Sequence, residues 1–288
     1  MNFNVASPET NEELFEVIAA NQGRNFRFGA GCTDLLIELK KQPEKDLTVI
    51  NLGYLNDPQF NSIENNDGSV RIGALVTANR ITSDLTIQER LPVLYEAANQ
   101  LASGQIRQVA TIGGNLCTAS PAGDMACALV ALKAECEILS ANGKVRVVPI
   151  EDFFTGVRKT DLKENEILRS VQIPVNNSGE KVHSGFIKVG VRRSMECSVV
   201  SLAYHIQITA DDIITLAGIA IGSVAPTIKF ASSACEYLTG KRFSEIGSSE
   251  SEEFATKILE YASPISDIRA SAWYREEVLF NISKSIFE

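Results

Sequence analysis

The sequence predicts an α+β protein with two parts, a larger one over residues 1–175 and a smaller one over residues 180–288. Three observations support this prediction. Before residue 175, apolar residues at helical spacing alternate with short β-branched runs. The segment from Val175 to Gly179 is polar and has no apolar anchor, so we place a domain boundary there. After it, three β-branched runs precede three helical patterns, the order expected of a separate α+β unit.

The first helix should follow Thr10, which forms a capping box with Glu13, and should end near Gly23. Two short strands, over residues 26–30 and 47–52, flank a glycine-rich turn and a helical pattern. The pattern changes after Pro58. We therefore expect two subdomains in the larger part, at about 1–56 and 57–175.

The second subdomain should contain two β-hairpins, because Asn66-Asp67-Gly68 and Asn142-Gly143 are typical hairpin turns. Helices are expected near residues 81–84, 92–101 and 124–134, and a strand over 167–173. The smaller part should form a three-stranded antiparallel sheet over residues 185–189, 199–208 and 213–224. Its helices should lie near residues 227–238, 252–262 and 271–286.

Composition and charge exclude several classes of protein. With 288 residues, 44% of them hydrophobic and 22% charged, the chain is long enough to bury substantial cores. A net charge of −9 argues against nucleic-acid binding, which needs a basic surface. The N-terminal residues lack a signal-peptide pattern, and the longest apolar stretch, residues 213–228, is too short and too interrupted for a membrane span. We expect a cytoplasmic protein without membrane insertion.

The six cysteines form no C-x-x-C pair, and only two histidines accompany them. This spacing does not suit a zinc or iron–sulfur site, so no metal site is expected in this chain. We expect free thiols that act as small buried hydrophobic residues. Cys32 and Cys117 differ only because they fall within two glycine-containing segments.

The first of these segments covers residues 27–36, after a predicted strand and at the start of a predicted helix. Gly29 and Gly31 let the backbone turn tightly and approach a ligand, and the helix start directs free N–H groups outward. Such an arrangement suits a pyrophosphate, although a plain tight turn would use the same residues. The dinucleotide-binding fingerprint fits poorly, because Asp34 takes its third glycine position and we expect no βαβ unit of parallel strands here.

The second segment covers residues 105–124 and places Gly113 and Gly114 among short polar side chains. Those side chains carry hydroxyl, amide and carboxylate groups, and they are Thr111, Asn115, Thr118, Ser120 and Asp124. Small polar groups between two apolar helices are typical of the lining of a ligand-binding groove. The alternative is a long polar loop with a helix start at Ser120-Pro121.

These two segments resemble the FAD-binding, medium subunit of the molybdenum hydroxylase family, which includes xanthine, carbon monoxide and nicotinate dehydrogenases. The family motifs read approximately A-G-G-T-D-L-L and A-T-I-G-G-N-x-x-x-A-S-P-x-x-D. This chain carries residues 30–36, residues 110–115, residues 119–121 and Asp124 at the matching positions. Residues 166–168, residues 186–188 and the pair Arg192-Arg193 extend the resemblance over nearly the whole chain.

The resemblance implies a PCMH/vanillyl-alcohol-oxidase-like FAD-binding domain of two subdomains, followed by the small α+β domain. It also implies an oxidoreductase component with non-covalent FAD and no catalytic side chain of its own. Electrons would come from a molybdenum cofactor in a large partner subunit, through [2Fe–2S] centres of a small one, and leave to NAD or another acceptor. We therefore expect a cytoplasmic heterotrimer.

The family's functional residues can be carried over by position. The first phosphate loop would comprise Phe28, Gly29, Ala30, Gly31, Cys32, Thr33, Asp34 and Leu35. The second motif would contribute Thr111, Gly113, Gly114, Asn115, Thr118, Ser120 and Asp124. Leu168 would pack on the flavin ring, and Ala102 stands where relatives carry a ring-stacking residue. Lys188 would place a positive charge at the flavin edge; the alternative is a solvated strand lysine.

Two departures from the family pattern matter. Cys32 replaces the usual second glycine, so we expect its φ to be negative. Its thiol at a helix N-terminus could also have a lowered pKa. The stretch from Met195 to Ser198 replaces a common M-D-I-S-like segment, which leaves the nicotinamide-side loop unassigned.

Three other functions compete with this one. A stand-alone flavin oxidase of the same fold would need a substrate base, and neither histidine lies near the motifs. A reductase resembling the peptidoglycan-precursor enzyme shares the fold, but its catalytic region has no match here. A scaffold that has lost FAD should show eroded motifs, whereas both motifs are intact.

Overall fold

A computed structural model describes residues 2–175, 180–192 and 195–288. Residues 176–179, where the sequence places the domain boundary, and Arg193, which carries part of the resemblance, lie outside the described residues. The boundary therefore stays a prediction. In the described chain, no helix combines the length and the apolar character needed to cross a bilayer.

The chain begins with a small parallel sheet. Its strands are β1 (Asn4–Ala6), β2 (Phe26–Gly29) and β3 (Thr48–Asn51), in the order β1-β3-β2. Two helices connect them, α1 (Asn11–Asn21) and α2 (Leu35–Lys41). The Thr10 hydroxyl accepts a hydrogen bond from the Glu13 N–H, as the sequence predicts, but the Glu13 carboxylate turns to the Glu9 N–H instead of closing the box at Thr10.

One expectation about this region is wrong. The elements β2, α2 and β3 form a βαβ unit, because both β1 and β2 pair with β3 in parallel. Strands of three or four residues carry too little periodicity to reveal their pairing. The pairing itself depends on contacts between residues far apart in sequence, such as Phe26 with Thr48.

The second subdomain is built on an antiparallel sheet in the order β4-β5-β10-β6-β7. Its strands are β4 (Ile63–Asn66), β5 (Ser69–Gly73), β6 (Glu135–Ser140), β7 (Val145–Pro149) and β10 (Glu166–Pro174). A short hairpin of β8 (Phe154–Gly156) and β9 (Lys159–Thr160) precedes β10. Both predicted hairpins and the predicted strand before residue 174 are confirmed.

Short helices occupy most of the connection between β5 and β6. They are α4 (Ala78–Ser83), α5 (Leu85–Arg90), α6 (Pro92–Asn99), α7 (Gly104–Arg107), α8 (Ile112–Thr118) and α9 (Asp124–Ala131). Two single-turn helices, α3 (Pro58–Asn61) and α10 (Ile150–Phe153), lie before β4 and after β7. All eight residues of α9 are buried, so this helix lies in the centre of the core.

The C-terminal part is a meander of β11 (Lys181–Val189), β12 (Val200–Ile208) and β13 (Ile214–Gly222), as predicted. A two-residue strand, β14 (Lys229–Phe230), extends it to four strands. The helices are α11 (Ser232–Leu238), α12 (Ser248–Leu259) and α13 (Ala272–Lys284). The first begins at Ser232 instead of near residue 227, because residues 229 and 230 pair with β13.

The two parts pack closely around α9. Phe186, Ala203 and Ala220 of the C-terminal sheet belong to the same apolar cluster as this helix. A Cβ atom on Gly218 would lie only 2.0 Å from the carbonyl oxygen of Ala131, so the strand can approach α9 only without a side chain there. The other face of the sheet forms a second cluster with α11, α12 and α13.

All six cysteines are free thiols. Cys127, Cys136 and Cys235 are buried, as predicted. Cys197 is exposed, so the expectation that it is a buried hydrophobic residue is wrong. It lies in the connection before β12, outside the alternating pattern that buries the strand residues.

Candidate functional site

The two glycine-containing segments meet at Gly31. A Cβ atom built on Gly31 would lie 1.8 Å from the carbonyl oxygen of Val109, which is far inside any allowed contact. The backbone of the first segment therefore rests directly on the backbone at the start of the second. Only glycine permits this approach. The structure thus brings together the two motifs that the sequence separates by about eighty residues.

The first segment leaves its backbone donors unused. In the described chain, the N–H groups of residues 31–35 donate no hydrogen bond to another protein group. Asp34 precedes α2 in a helical conformation, and its side chain makes no capping hydrogen bond. Five adjacent free N–H groups at a turn into a helix form a concave donor set for an anion.

Side chains of the first segment contribute little to that donor set. Leu35 packs with Leu39, Leu47 and Val49 in a small cluster, so only its backbone faces the turn. Phe28 stacks edge to face on Phe26, with the ring centroids 5.5 Å apart. Ala30 and Thr33 are half-buried, whereas Asp34 is exposed.

Cys32 contradicts two expectations. Its φ is +54°, in the left-handed region, and not negative. The turn from β2 into α2 needs a left-handed residue at this position, and the cysteine adopts that conformation at a cost in backbone energy. Its thiol packs toward Gly29, where an added Cβ would lie 2.7 Å from the Cys32 Sγ. Burial raises the pKa of the Cys32 thiol, so a lowered pKa is also wrong.

The second segment is helical rather than a long loop. Thr111 caps α8, because its Oγ1 accepts a 3.0 Å hydrogen bond from the Gly114 N–H. The Gly113 N–H donates to the Ala74 carbonyl at 2.8 Å, and a Cβ on Gly113 would lie 2.7 Å from Ala74. Thr111 and Gly113 therefore support the site from behind. At Gly114 an added Cβ would approach only the Thr111 hydroxyl, at 2.9 Å.

The polar residues after Gly114 divide into two groups. Asn115 accepts a 3.0 Å hydrogen bond from the Ala126 N–H and so ties α8 to α9. Ser120 accepts a 3.2 Å hydrogen bond from the Ala122 N–H and shapes the turn between the helices. The Thr118 hydroxyl has no hydrogen-bond partner in the described part of the chain, and is free to meet a ligand.

Cys117 lies near the end of α8, and its side chain is exposed to solvent. Desolvation by the surrounding protein raises the pKa of its thiol to about 12.

Asp124 and Lys188 form a buried ion pair. The Lys188 Nζ lies 2.6 Å from the Asp124 Oδ2, and the two side chains are 3% and 5% exposed. Lys188 also donates to the Gln100 carbonyl at 3.3 Å. The alternative of a solvated strand lysine is therefore wrong. Burial raises the pKa of the Asp124 carboxyl, while Lys188 and the hydroxyl of Ser198 counteract that rise.

Two family descriptions cover nearly all of the chain. Residues 1–176 match the FAD binding domain in molybdopterin dehydrogenase, and residues 186–288 match the CO dehydrogenase flavoprotein C-terminal domain. The chain belongs to this family of FAD-binding flavoproteins. The recognition made from the two motifs is confirmed.

Relatives match most or nearly all of the chain. The chain is 31% identical to the xanthine dehydrogenase FAD-binding subunit of Escherichia coli O157:H7 over 258 residues, which cover 89% of this chain and 86% of that one. It is 29% identical to the nicotinate dehydrogenase FAD-subunit of Eubacterium barkeri over 290 residues, covering 99% and 95% of the two chains. These relatives are dehydrogenase subunits, and the chain is an oxidoreductase component.

A solved structure confirms the fold. The carbon monoxide dehydrogenase of Hydrogenophaga pseudoflava superposes with a TM-score of 0.90 at 26% identity, covering 99% of this chain and 96% of that one. The predicted fold class, an FAD-binding domain followed by a small C-terminal domain, is therefore confirmed.

The residues present fit the FAD of this family. FAD carries a pyrophosphate, and the first segment offers five free N–H donors. Thr118 adds a free hydroxyl beside Gly114. Lys188 supplies a buried cation that contacts Gln100 and Asp124. These contacts could not be predicted from the sequence, because the three residues lie far apart in it.

Ala102 and Leu168, the two residues predicted to contact the flavin ring, lie on different elements. Ala102 has a φ of +42° in the turn after α6, two residues beyond Gln100, whose carbonyl accepts from Lys188. Leu168 is 4% exposed on β10, next to a β-bulge at Arg169. Their contact with a flavin ring stays a prediction.

Sequence reasoning missed Ser198, whose hydroxyl donates a 2.9 Å hydrogen bond to the Asp124 Oδ1. The sequence gives one signal for it. Ser198 is the serine that ends the segment matching M-D-I-S, which we left without a role.

Proposed function

We propose that this chain holds FAD non-covalently along the junction of its two motifs and passes electrons from a partner subunit to NAD. The electrons would come from [2Fe–2S] centres of a small subunit, which receives them from a molybdenum cofactor in a large subunit. The observation that carries the proposal is the set of free N–H donors on residues 31–35, at the point where Gly31 rests on the second motif.

We assign the pyrophosphate to the backbone of the first segment, residues 28–35, with Gly114, Asn115, Thr118, Ser120 and Asp124 along its other side. Thr111 and Gly113 maintain this surface through the α8 cap and the contact with Ala74. Leu168 and Ala102 would contact the ring. Backbone N–H groups are well suited to this task because they cannot turn away when the anion is absent.

FAD, when bound, supplies the chemistry that joins one-electron and two-electron transfer. The chain supplies position and charge. An ammonium group has three N–H donors, and Lys188 uses two of them for Asp124 and Gln100. The third is left for a ligand. A cation at the ring edge would favour the negatively charged reduced form.

The relatives support a proposal for the partners. A heterotrimer with a molybdenum-cofactor large subunit and a [2Fe–2S] small subunit, at work in the cytoplasm with NAD as acceptor, agrees with relatives that are subunits of dehydrogenases. We also propose the two-part division at residues 175–180, with subdomains at about 1–56 and 57–175.

A stand-alone oxidase is disfavoured by where the histidines lie. His183 stacks on Tyr204 and Phe243, and its Nε2 lies 2.6 Å from the Ile286 carbonyl. His205 is 7% exposed within β12, and its pKa is lowered to about 4 by burial. Both belong to the C-terminal sheet, so neither is placed as a substrate base beside the motifs.

The decisive experiment is the visible absorption spectrum of the purified protein, followed by heat release and chromatographic identification of the pigment. Releasable FAD is the expected result. A colourless protein that stays colourless with added FAD, both alone and with its partner subunits, would overturn the proposal. Anaerobic addition of NADH then tests the acceptor: the flavin band should bleach, and an unchanged band would exclude NAD.

A further inference from the structure

Ser198 connects the C-terminal sheet to the end of the second motif. It is 2% exposed, and its hydroxyl donates to the Asp124 Oδ1 at 2.9 Å. Asp124 is the first residue of α9, and Lys188 lies on β11. The three residues therefore join α9, β11 and the connection before β12 at one buried point.

The two oxygens of Asp124 have separate partners. Ser198 holds Oδ1, and the Lys188 Nζ lies 2.6 Å from Oδ2. A carboxylate held at both oxygens cannot rotate, so the direction of its bond to Lys188 is fixed. With a second N–H of Lys188 donated to the Gln100 carbonyl at 3.3 Å, the direction of the third is fixed as well.

The backbone around Ser198 is anchored on both sides. The Val199 N–H donates to the Val189 carbonyl at 2.8 Å, one residue beyond Lys188. The Val199 carbonyl accepts a 2.6 Å hydrogen bond from Arg275, which is 3% exposed. Arg275 in turn forms a salt bridge with Asp267, in which its Nη2 lies 2.9 Å from the Asp267 Oδ1. These hydrogen bonds therefore fix the backbone that carries the Ser198 hydroxyl.

We propose that Ser198 is a positioning residue, which holds Asp124 so that Lys188 directs its free N–H toward the bound flavin. This inference rests on the proposed function. If the Ser198 hydroxyl served only as a hydrogen-bond partner for a buried carboxylate, it would stabilise the fold without affecting FAD binding. A positioning residue also affects FAD binding, so measurements of stability and of the Kd for FAD distinguish the two roles.

The test is a fluorescence titration of the full chain with FAD, comparing the wild type with Ser198→Ala. Loss of a hydrogen bond to a charged group should raise the Kd for FAD about tenfold. Ser198→Thr retains the hydroxyl and should stay within about threefold of wild type. The matched control is Ser283→Ala, which removes a fully buried hydroxyl that donates to the Leu279 carbonyl at 2.7 Å. It should leave the Kd unchanged, whatever its effect on the thermal midpoint.

A double-mutant cycle shows whether Ser198 acts through Asp124. In an Asp124→Asn background, Ser198→Ala should change the Kd by less than about twofold. An equal effect in both backgrounds would overturn the positioning role, as would an unchanged Kd in the single variant. If Ser198→Ala fails to fold, Ser198→Cys takes its place, because the thiol keeps the volume and weakens the hydrogen bond.

The midpoint potential of the bound FAD gives a second measurement, needed if the Asp124→Asn variant binds too weakly to titrate. Misdirecting the Lys188 N–H should weaken binding of reduced relative to oxidised flavin about tenfold, which lowers the midpoint by about 30 mV. An unchanged potential would overturn the inference. A wild-type chain that binds no FAD, either alone or with its partner subunits, overturns the proposed function, and the positioning role with it.

Discussion

Replacing Gly31 by alanine should separate the two motifs. The new Cβ would lie 1.8 Å from the Val109 carbonyl oxygen and 2.6 Å from the Val109 carbonyl carbon. Because ordinary van der Waals contact begins near 3.4 Å, the two backbones must move apart by about 1.6 Å. Neither neighbour is a flexible side chain that could yield.

The expected cost can be estimated from that movement. Overpacking at a tight contact costs about 1–3 kcal/mol of unfolding free energy. The same displacement moves the free N–H groups of residues 31–35 relative to the second motif. Since each 1.4 kcal/mol is a factor of ten in affinity, we expect the Kd for FAD to rise about tenfold to a hundredfold.

The assay combines FAD titration by fluorescence with unfolding in urea. Gly104→Ala is the matched control, because nothing lies within 4 Å of a Cβ built on Gly104 and the residue is helical. That variant should keep its affinity and gain up to about 1 kcal/mol of stability. A Gly31→Ala protein that binds FAD as tightly as wild type would refute the argument that this contact aligns the site.

Three further predictions test single positions. Gly114→Val should reduce FAD content at least tenfold, because its side chain displaces the Thr111 hydroxyl and enters the groove; full flavin content would contradict this placement of the second motif. Cys32→Gly should retain FAD affinity within about twofold and gain up to about 1 kcal/mol of stability, since the φ of +54° suits glycine; urea unfolding measures the gain, and a loss of affinity would mean that the thiol contributes. His205→Gln should flatten the pH dependence of stability: burial lowers the pKa of His205 from 6.5 to about 4, so wild type loses up to about 3 kcal/mol as the pH falls through that range. The measurement is urea unfolding at pH 7 and pH 4, and parallel losses in wild type and variant would exclude His205 as the cause.

Much of the fold follows from local sequence patterns. The hairpins at Asn66–Gly68 and Asn142–Gly143 and the three long C-terminal strands have clear turn residues and strong alternation, and the structure contains all of them. The parallel sheet at the N-terminus could not be predicted from local patterns. Its strands have only three or four residues each, and they pair with strands that are far away in sequence.

In the candidate site, too, some features follow from the sequence and others do not. The motifs predict which segments face a ligand, but they do not show how Gly31 contacts Val109 or that Cys32 is left-handed. Asp124 and Lys188 are 64 residues apart in sequence, and only the packing of the C-terminal sheet against α6 and α9 makes them a pair. Ser198 depends on that same packing, so its place in the motif-like segment does not reveal that it contacts Asp124.

The packing of the C-terminal sheet on α9 affects how the protein unfolds and how its two parts can change during evolution. α9 lies within the larger part, yet it packs against β12 and β13, which begin only at residues 200 and 214. We therefore expect one cooperative unfolding transition, since each part exposes an apolar face when the other unfolds. A gene fragment that ends near residue 175 would leave a helix of apolar residues facing water and would aggregate. Exchange of the C-terminal half between relatives can succeed only where Gly218 still fits against Ala131, so the two halves are constrained to diverge together.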